Sequence, residues 1–233
     1  MNRKRFQWVW LAIFVAACDL SSQEEGLNFL AQQYDFSNST HGWEGDFADY
    51  PVEDSVAYEL KFDHSSHPES LGAEKSLVLS GNNLGDNLFM FVKKKITHLK
   101  PVTDYTLSFE VEFASDVPKD SVAVGGSPGQ TIYLKAGGSG EEPQKIEVYG
   151  YFRMNIDKGG QSTRGQDMVV LGDIATFYDS SPLTFDKRSN AISFKAKTNQ
   201  KGELWVIIAT DSTGKGATIV YFKQITILLS QSD

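Results

Sequence analysis

Four groups of residues have types and spacings that could do chemistry. Gly125-Gly-Ser127-Pro128-Gly129 has the G-x-S-x-G spacing of a nucleophile elbow, where a Ser attacks and the following backbone N–H steadies the oxyanion. Pro128 has no N–H to give, and all four His residues (41, 64, 67 and 98) precede Ser127, although a hydrolase order needs one after it. The segment therefore reads as a Gly-rich loop. Glu110 and Glu112 stand two apart on one predicted strand, about 6.5–7 Å between Cα atoms from the strand rise. Paired carboxylates at such separations can hydrolyse glycosides, but an acidic outer sheet face explains them more simply. His64 and His67 lie in Asp63-His-Ser-Ser-His-Pro-Glu69 and could offer imidazoles and a carboxylate to a metal. The stretch reads instead as a solvated loop. The turns Asp46-Phe-Ala-Asp49-Tyr50 and Asn155–Gly160, with Asp157, are rich in oxygen ligands for a structural calcium. Neither has EF-hand spacing, so a metal-free turn is preferred. No catalytic residue and no resident cofactor is expected.

Aromatic residues are the better clue. Trp43, Tyr50, Tyr149, Tyr151 and Tyr178 fall in or beside loop-like segments. Flat rings can stack on the apolar faces of sugars while neighbouring Asp, Asn and Arg side chains bond the hydroxyls. Tyr149 and Tyr151 share a predicted strand face with Arg153, a mixed aromatic and donor patch. Trp43, Tyr50, Tyr149, Tyr151 and Arg153 are the expected ligand-binding residues. For Trp43, packing as a lid on the core is the stronger reading.

Strands must position these groups, because period-two patterns dominate the chain. In Tyr105–Phe113, Leu107, Phe109, Val111 and Phe113 point one way, and Thr106, Ser108, Glu110 and Glu112 the other. Further strands are predicted at 57–62, 76–79, 88–96, 131–135, 146–154, 168–171, 191–197, 204–210 and 218–229. Leu204-Trp-Val-Ile-Ile-Ala209 is apolar on both faces and predicts a central, fully covered strand. Gly, Pro, Asn, Asp and Ser clusters separate the runs, as turns require. A short helix is predicted near 27–33. About ten strands without alternating helices predict an all-β sandwich or barrel.

The amino-terminal segment predicts a location. Arg3-Lys-Arg5 precedes an apolar run, Trp8–Ala17, that stops at Cys18. A basic stretch, a short apolar core and small residues before a cut site make a secretory signal peptide. The run falls short of the roughly 20 apolar residues that span a bilayer. Val15-Ala-Ala-Cys18 resembles the bacterial lipobox, which implies that Cys18, the only cysteine, is acylated and becomes the first mature residue. Removing residues 1–17 takes away three positive charges and no negative ones, moving the formal net charge from −8 to −11. Such an acidic chain repels phosphate, so nucleic acid is not an expected partner. The expected organisation is a signal peptide over 1–17, a lipidated Cys and polar tether over 18–29, and one β domain over 30–233. Localisation is then the cell envelope, with the domain in the periplasm or on the cell surface.

Three segments carry a family resemblance. Thr97-His-Leu-Lys-Pro-Val-Thr-Asp-Tyr105, running into Thr106–Phe113, resembles a segment of bacterial carbohydrate-binding jelly rolls of the galactose-binding-like type. Phe36-Ser-Asn-Ser-Thr-His-Gly-Trp43 resembles their opening strand and Gly-Trp loop, and Gly202–Val206 with Tyr221–Ile227 resembles their closing strand pair. The resemblance implies a jelly-roll-like β-sandwich and glycan as ligand. It departs at Phe222-Lys-Gln224, where those modules often carry an Asp near a structural calcium. Ser80–Phe91 and Arg153–Asp157 resemble segments of a group of bacterial lipoproteins, which implies a location and no activity. The expected function is a membrane-anchored, non-catalytic, glycan-binding domain. Alternatives are a structural or protein-interaction lipoprotein of the envelope and a jelly-roll glycosidase using Glu110 and Glu112.

Overall fold

The computed structural model describes residues 26–85, 87–119, 131–177 and 182–232. The signal segment, Cys18, the Ser127 loop and Tyr178 lie outside the described residues. The chain folds as an all-β, jelly-roll-like sandwich. Its strands are β1 (Phe29–Asp35), β2 (Glu44–Ala48), β3 (Tyr50–Pro51), β4 (Lys61–Ser66), β5 (Lys75–Asn83), β6 (Leu88–Ile96), β7 (Asp104–Ser115) and β8 (Ile132–Ser139). They continue with β9 (Lys145–Val148), β10 (Tyr151–Met154), β11 (Met168–Asp173), β12 (Asp186–Ser189), β13 (Phe194–Lys197), β14 (Leu204–Ser212) and β15 (Gly216–Gln231). Among the described residues the only helical element is a 3-10 turn, Glu69–Leu71.

Two antiparallel sheets face each other. The larger runs β12-β7-β15-β5-β4, with β13 also on β7 and β1 also on β15; the smaller runs β11-β8-β14-β6-β2. The inward residues of β7 (Leu107, Phe109, Val111, Phe113) meet Leu88, Met90 and Val92 of β6, Leu134 of β8, and Val206 and Ile208 of β14 in one core. The four residues expected inside from the alternation of β7, and Val206 and Ile208 of β14, are 0–2% exposed. In β15 the inward set changes phase, from Val220 and Phe222 to Ile225, Ile227 and Leu229. A bulge between Phe222 and Gln224 causes this, since one extra residue exchanges the two faces of a strand.

Three sequence expectations are corrected. The segment 27–33 is not a helix: β1 pairs in register with β15 from Phe29↔Ser230 to Asp35↔Gln224. The single strand predicted over 146–154 is a hairpin, β9 and β10, turning at Tyr149-Gly150. The strand predicted at 57–62 starts later, at Lys61, and takes in His64.

The outward face of the smaller sheet is partly covered by the chain's own insert. Met154 and Ile156 lie on Phe89, Phe91, Ile207 and Ala209 and form a second core with Met168. Gly137 on β8 permits this approach, because a Cβ there would stand 2.0 Å from the Asp167 carbonyl oxygen. The central strand β14 is thus covered on both faces along Val206–Ala209, as its sequence predicts.

Candidate functional site

The β9–β10 hairpin carries the most exposed aromatic chemistry of the described residues. Tyr149 and Gly150 have φ of 51° and 77°, the two left-handed residues of a type I′ turn that suits the right-handed twist of paired strands. Gly accepts this conformation freely, whereas for a tyrosine it costs about 1–2 kcal/mol. The ring of Tyr149 is 100% exposed, so packing does not compensate. Strain of this kind clusters at functional positions.

Register decides what lies beside it. Tyr151 pairs with Val148 and Arg153 with Ile146, and cross-strand partners share a face. That face is open: Ile146, Val148 and Tyr151 are 44%, 37% and 42% exposed. On the opposite face Phe152 packs on Tyr50 at 5.1 Å and Met154 on the second core. The short strand β3 extends the sheet, Tyr151 pairing with Pro51, and Val52 N donates to the Gly150 carbonyl at 2.9 Å.

Arg153 is held in two ways. Its guanidinium lies 4.7 Å from the Tyr151 ring centre, a cation–π contact, and Nη1 is 3.3 Å from Asp49 Oδ1. Asp49 is buried and also pairs with Lys158 at 3.0 Å. Lys158 reaches Asp211 at 2.8 Å, and Asp211 stands 3.4 Å from the fully buried Lys135. The Lys135 ammonium donates to the carbonyls of Lys158, Gly160 (2.7 Å) and Thr163 (3.1 Å). Burial pulls the Lys135 pKa below the usual lysine range. Burial pulls Lys158 down too, but the nearby carboxylates of Asp211 and Asp49 outweigh it and its pKa is raised. The insert is therefore fixed to the sheet by a chain of alternating charges that ends at the half-exposed Arg153.

The expected site residues divide. Tyr149, Tyr151 and Arg153 are brought together at one end of the hairpin, with Tyr149 at the turn and not on the face that Tyr151 and Arg153 share. Trp43 and Tyr50 do not join them: they are 2% and 3% exposed, so neither ring can stack a surface ligand. Trp43 packs edge-on against Tyr34 at 5.6 Å and Phe36 at 6.2 Å, and Tyr50 packs under the hairpin between Tyr58 and Phe152.

The other candidates are held in local contacts. Glu110 pairs with Lys187 at 2.8 Å and Glu112 with Lys223 at 2.9 Å on the outer face of the larger sheet. His64 Nε2 lies 2.7 Å from the Phe36 carbonyl oxygen, while the buried His67 packs edge-on against Phe185. Asp46 pairs with Lys145 at 2.8 Å. Asp157 accepts from the N–H groups of Gly159 (3.0 Å) and Gln166 (2.9 Å), hydrogen bonds that hold its pKa low. The carbonyls of that loop turn towards the Lys135 ammonium, which occupies the place of a cation.

Sequence reasoning missed Trp205. It is half-buried on the outward face of β14, with the ammoniums of Lys93 and Lys95 at 5.2 and 5.5 Å from its ring centre. Lys93 is fixed by Glu142 and the Pro143 carbonyl at the entry to β9. The available signal was alternation: Trp205 shares its face with Ile207 and Ala209, but lies where the insert's cover ends.

Comparison with known proteins gives only weak structural likeness. No family model and no curated protein matches the chain. Among solved structures, the mannan-recognising carbohydrate-binding module TmCBM27 aligns with a TM-score of 0.37 and 9% identity, over 88% of this chain and 100% of that one. The module TmCBM61, solved with β-1,4-galactotriose, gives 0.34 and 8%, over 82% and 89%. The K3 cleaved adhesin domain of Lys-gingipain from Porphyromonas gingivalis W83 gives 0.40 and 8%, over 87% and 99%. At these identities and TM-scores, neither family membership nor a shared ligand follows.

Proposed function

We propose that this chain is a lipid-anchored, non-catalytic binding module that holds a glycan on the open face and turn of the β9–β10 hairpin. The observation that carries the reading is Tyr149, fully exposed in a left-handed conformation beside Tyr151 and its braced Arg153. Tyrosine offers a flat apolar face with few rotors to immobilise, and Arg153 offers guanidinium donors to sugar hydroxyls. The anchor is Cys18, read from the lipobox-like Val15-Ala-Ala-Cys18. The test is a glycan-array screen followed by calorimetric titration of the glycan found. Tyr149→Ala and Tyr151→Ala are each expected to weaken binding about five- to tenfold, the loss of one stacking contact of roughly 1–1.5 kcal/mol. Melting curves should stay cooperative. Binding should hardly change with salt, because a neutral sugar releases no counterions. Parental affinity in both variants would exclude this face.

A second reading has its own observation. β9 is an edge strand of a separate three-stranded sheet, β3-β10-β9, and carries the exposed Ile146 and Val148. An open, apolar edge suits pairing with a strand of a protein partner. An array without any bound glycan would favour this reading.

A further inference from the structure

We infer that the end of the sandwich where the chain enters β1 is a membrane-docking face, which seats the domain on the bilayer with Val102, Leu27 and Phe29 in the headgroup layer. The inference rests on reading Cys18 as the lipid anchor.

Three loops meet at this end. Leu27 N donates to the His98 carbonyl at 2.9 Å, Leu99 N to the Gly202 carbonyl at 3.1 Å, and Val102 N to the Asn199 carbonyl at 3.1 Å. The buried Tyr105 ties them together, its hydroxyl donating to the Leu27 carbonyl and accepting from Lys100 N at 2.9 Å. The entry point of the chain is therefore fixed to the domain.

From Cys18 to Gly26 there are eight Cα–Cα steps, a reach of at most about 28 Å. An acylated Cys18 thus keeps this end close to the membrane surface. The same end displays apolar side chains. Leu27, Phe29 and Val102 are 43%, 59% and 56% exposed. Val102 has φ of +51°, which a β-branched residue adopts only under strain, and the strain aims its side chain at solvent. Two shallow clefts, of about 390 and 600 Å³, share Leu27, Thr97 and His98 as lining. Lys197 and Lys201 are exposed and Lys100 half-exposed around it, against Asp104 and the lysine-paired Glu203.

Asp19, Glu24 and Glu25 lie in the intervening chain. Net charge therefore does not drive docking. The contact comes from apolar side chains entering the interface, with lysines reaching phosphates at the rim.

Because acylation consumes the only cysteine, a new one can be labelled alone. The full lipoprotein carrying Val102→Cys, Phe29→Cys or, as control, Val56→Cys is labelled with an environment-sensitive fluorophore and reconstituted into phosphatidylethanolamine–phosphatidylglycerol vesicles. Val56 is 92% exposed in the loop bonded to Asn82, at the Gly216 end of β15, opposite the Ser230 end where Phe29 pairs. Labels at 102 and 29 should shift to the blue on reconstitution and be quenched by iodide several-fold less than the label at 56. Equal quenching at all three positions, with the protein still sedimenting with vesicles, would overturn the docking face and leave the anchor standing. A parent protein that stays in the supernatant and takes up label at Cys18 would overturn both.

Discussion

Tyr149 concentrates the functional argument in one residue. A fully exposed aromatic side chain gains nothing from the fold, and its left-handed backbone costs stability. Glycine removes that cost, offset in part by the greater entropy its unfolded chain must lose. Tyr149→Gly is therefore expected to leave the domain as stable as the parent, or more stable by up to about 1 kcal/mol, while weakening glycan binding. Urea unfolding and titration calorimetry on the same variant check both halves. A variant that is clearly less stable would mean that the tyrosine supports the hairpin. At this scale the sequence was partly legible. Tyr149, Tyr151 and Arg153 stand out in the sequence as two rings and a guanidinium at alternate positions, although the turn at Tyr149-Gly150 takes Tyr149 off the face that the other two share. The burial of Trp43 against Tyr34 and Phe36 agrees with its reading as a core lid, whereas Tyr50 is buried between Tyr58 and Phe152, the latter about a hundred residues away in sequence and encoded by no local pattern.

At the scale of elements, β9, β10 and the loop to β11 depend on Lys135. Its ammonium satisfies three loop carbonyls and faces Asp211, with no exposed side-chain surface. Removing one member of a buried ionic cluster leaves the others desolvated and unpaired. Lys135→Met is expected to destabilise the domain by about 3–5 kcal/mol. Hydrogen exchange should rise first at 157–167, where Asp157, Gly159 and Gln166 make the loop's internal hydrogen bonds. Loss of under about 1 kcal/mol, the range of a surface pair, would show that the network does not hold the insert. The elements themselves were unevenly legible. β7 and β14 were plain because one buries alternate residues and the other buries nearly all. The hairpin was read as one strand because Tyr-Gly lacks the Asn or Asp that usually marks a type I′ turn. The helix predicted over 27–33 is instead β1, whose partner, β15, lies about two hundred residues away in sequence, beyond the reach of any local pattern.

For the molecule as a whole, the proposed function raises the question of how an acidic domain would be held at a membrane. The core draws on residues from Tyr34 to Leu229, and no described helix is long and apolar enough to cross a bilayer. In the proposed reading, acyl chains on Cys18 hold the domain at the membrane. Each buried methylene contributes about 0.8 kcal/mol, so two or more chains hold stably where a single one is marginal. The apolar side chains at the domain's end add contact but do not replace the anchor. Cys18→Ser removes the thiol that would be acylated while leaving the core untouched. The variant is expected either to leave the membrane fraction or to accumulate as an unprocessed precursor, which intact-mass measurement distinguishes. Its melting curve should match that of the parent in either case. If Cys18→Ser protein remains membrane-bound at the parent's processed mass, the anchor lies elsewhere, and the docking face loses the short reach on which it depends.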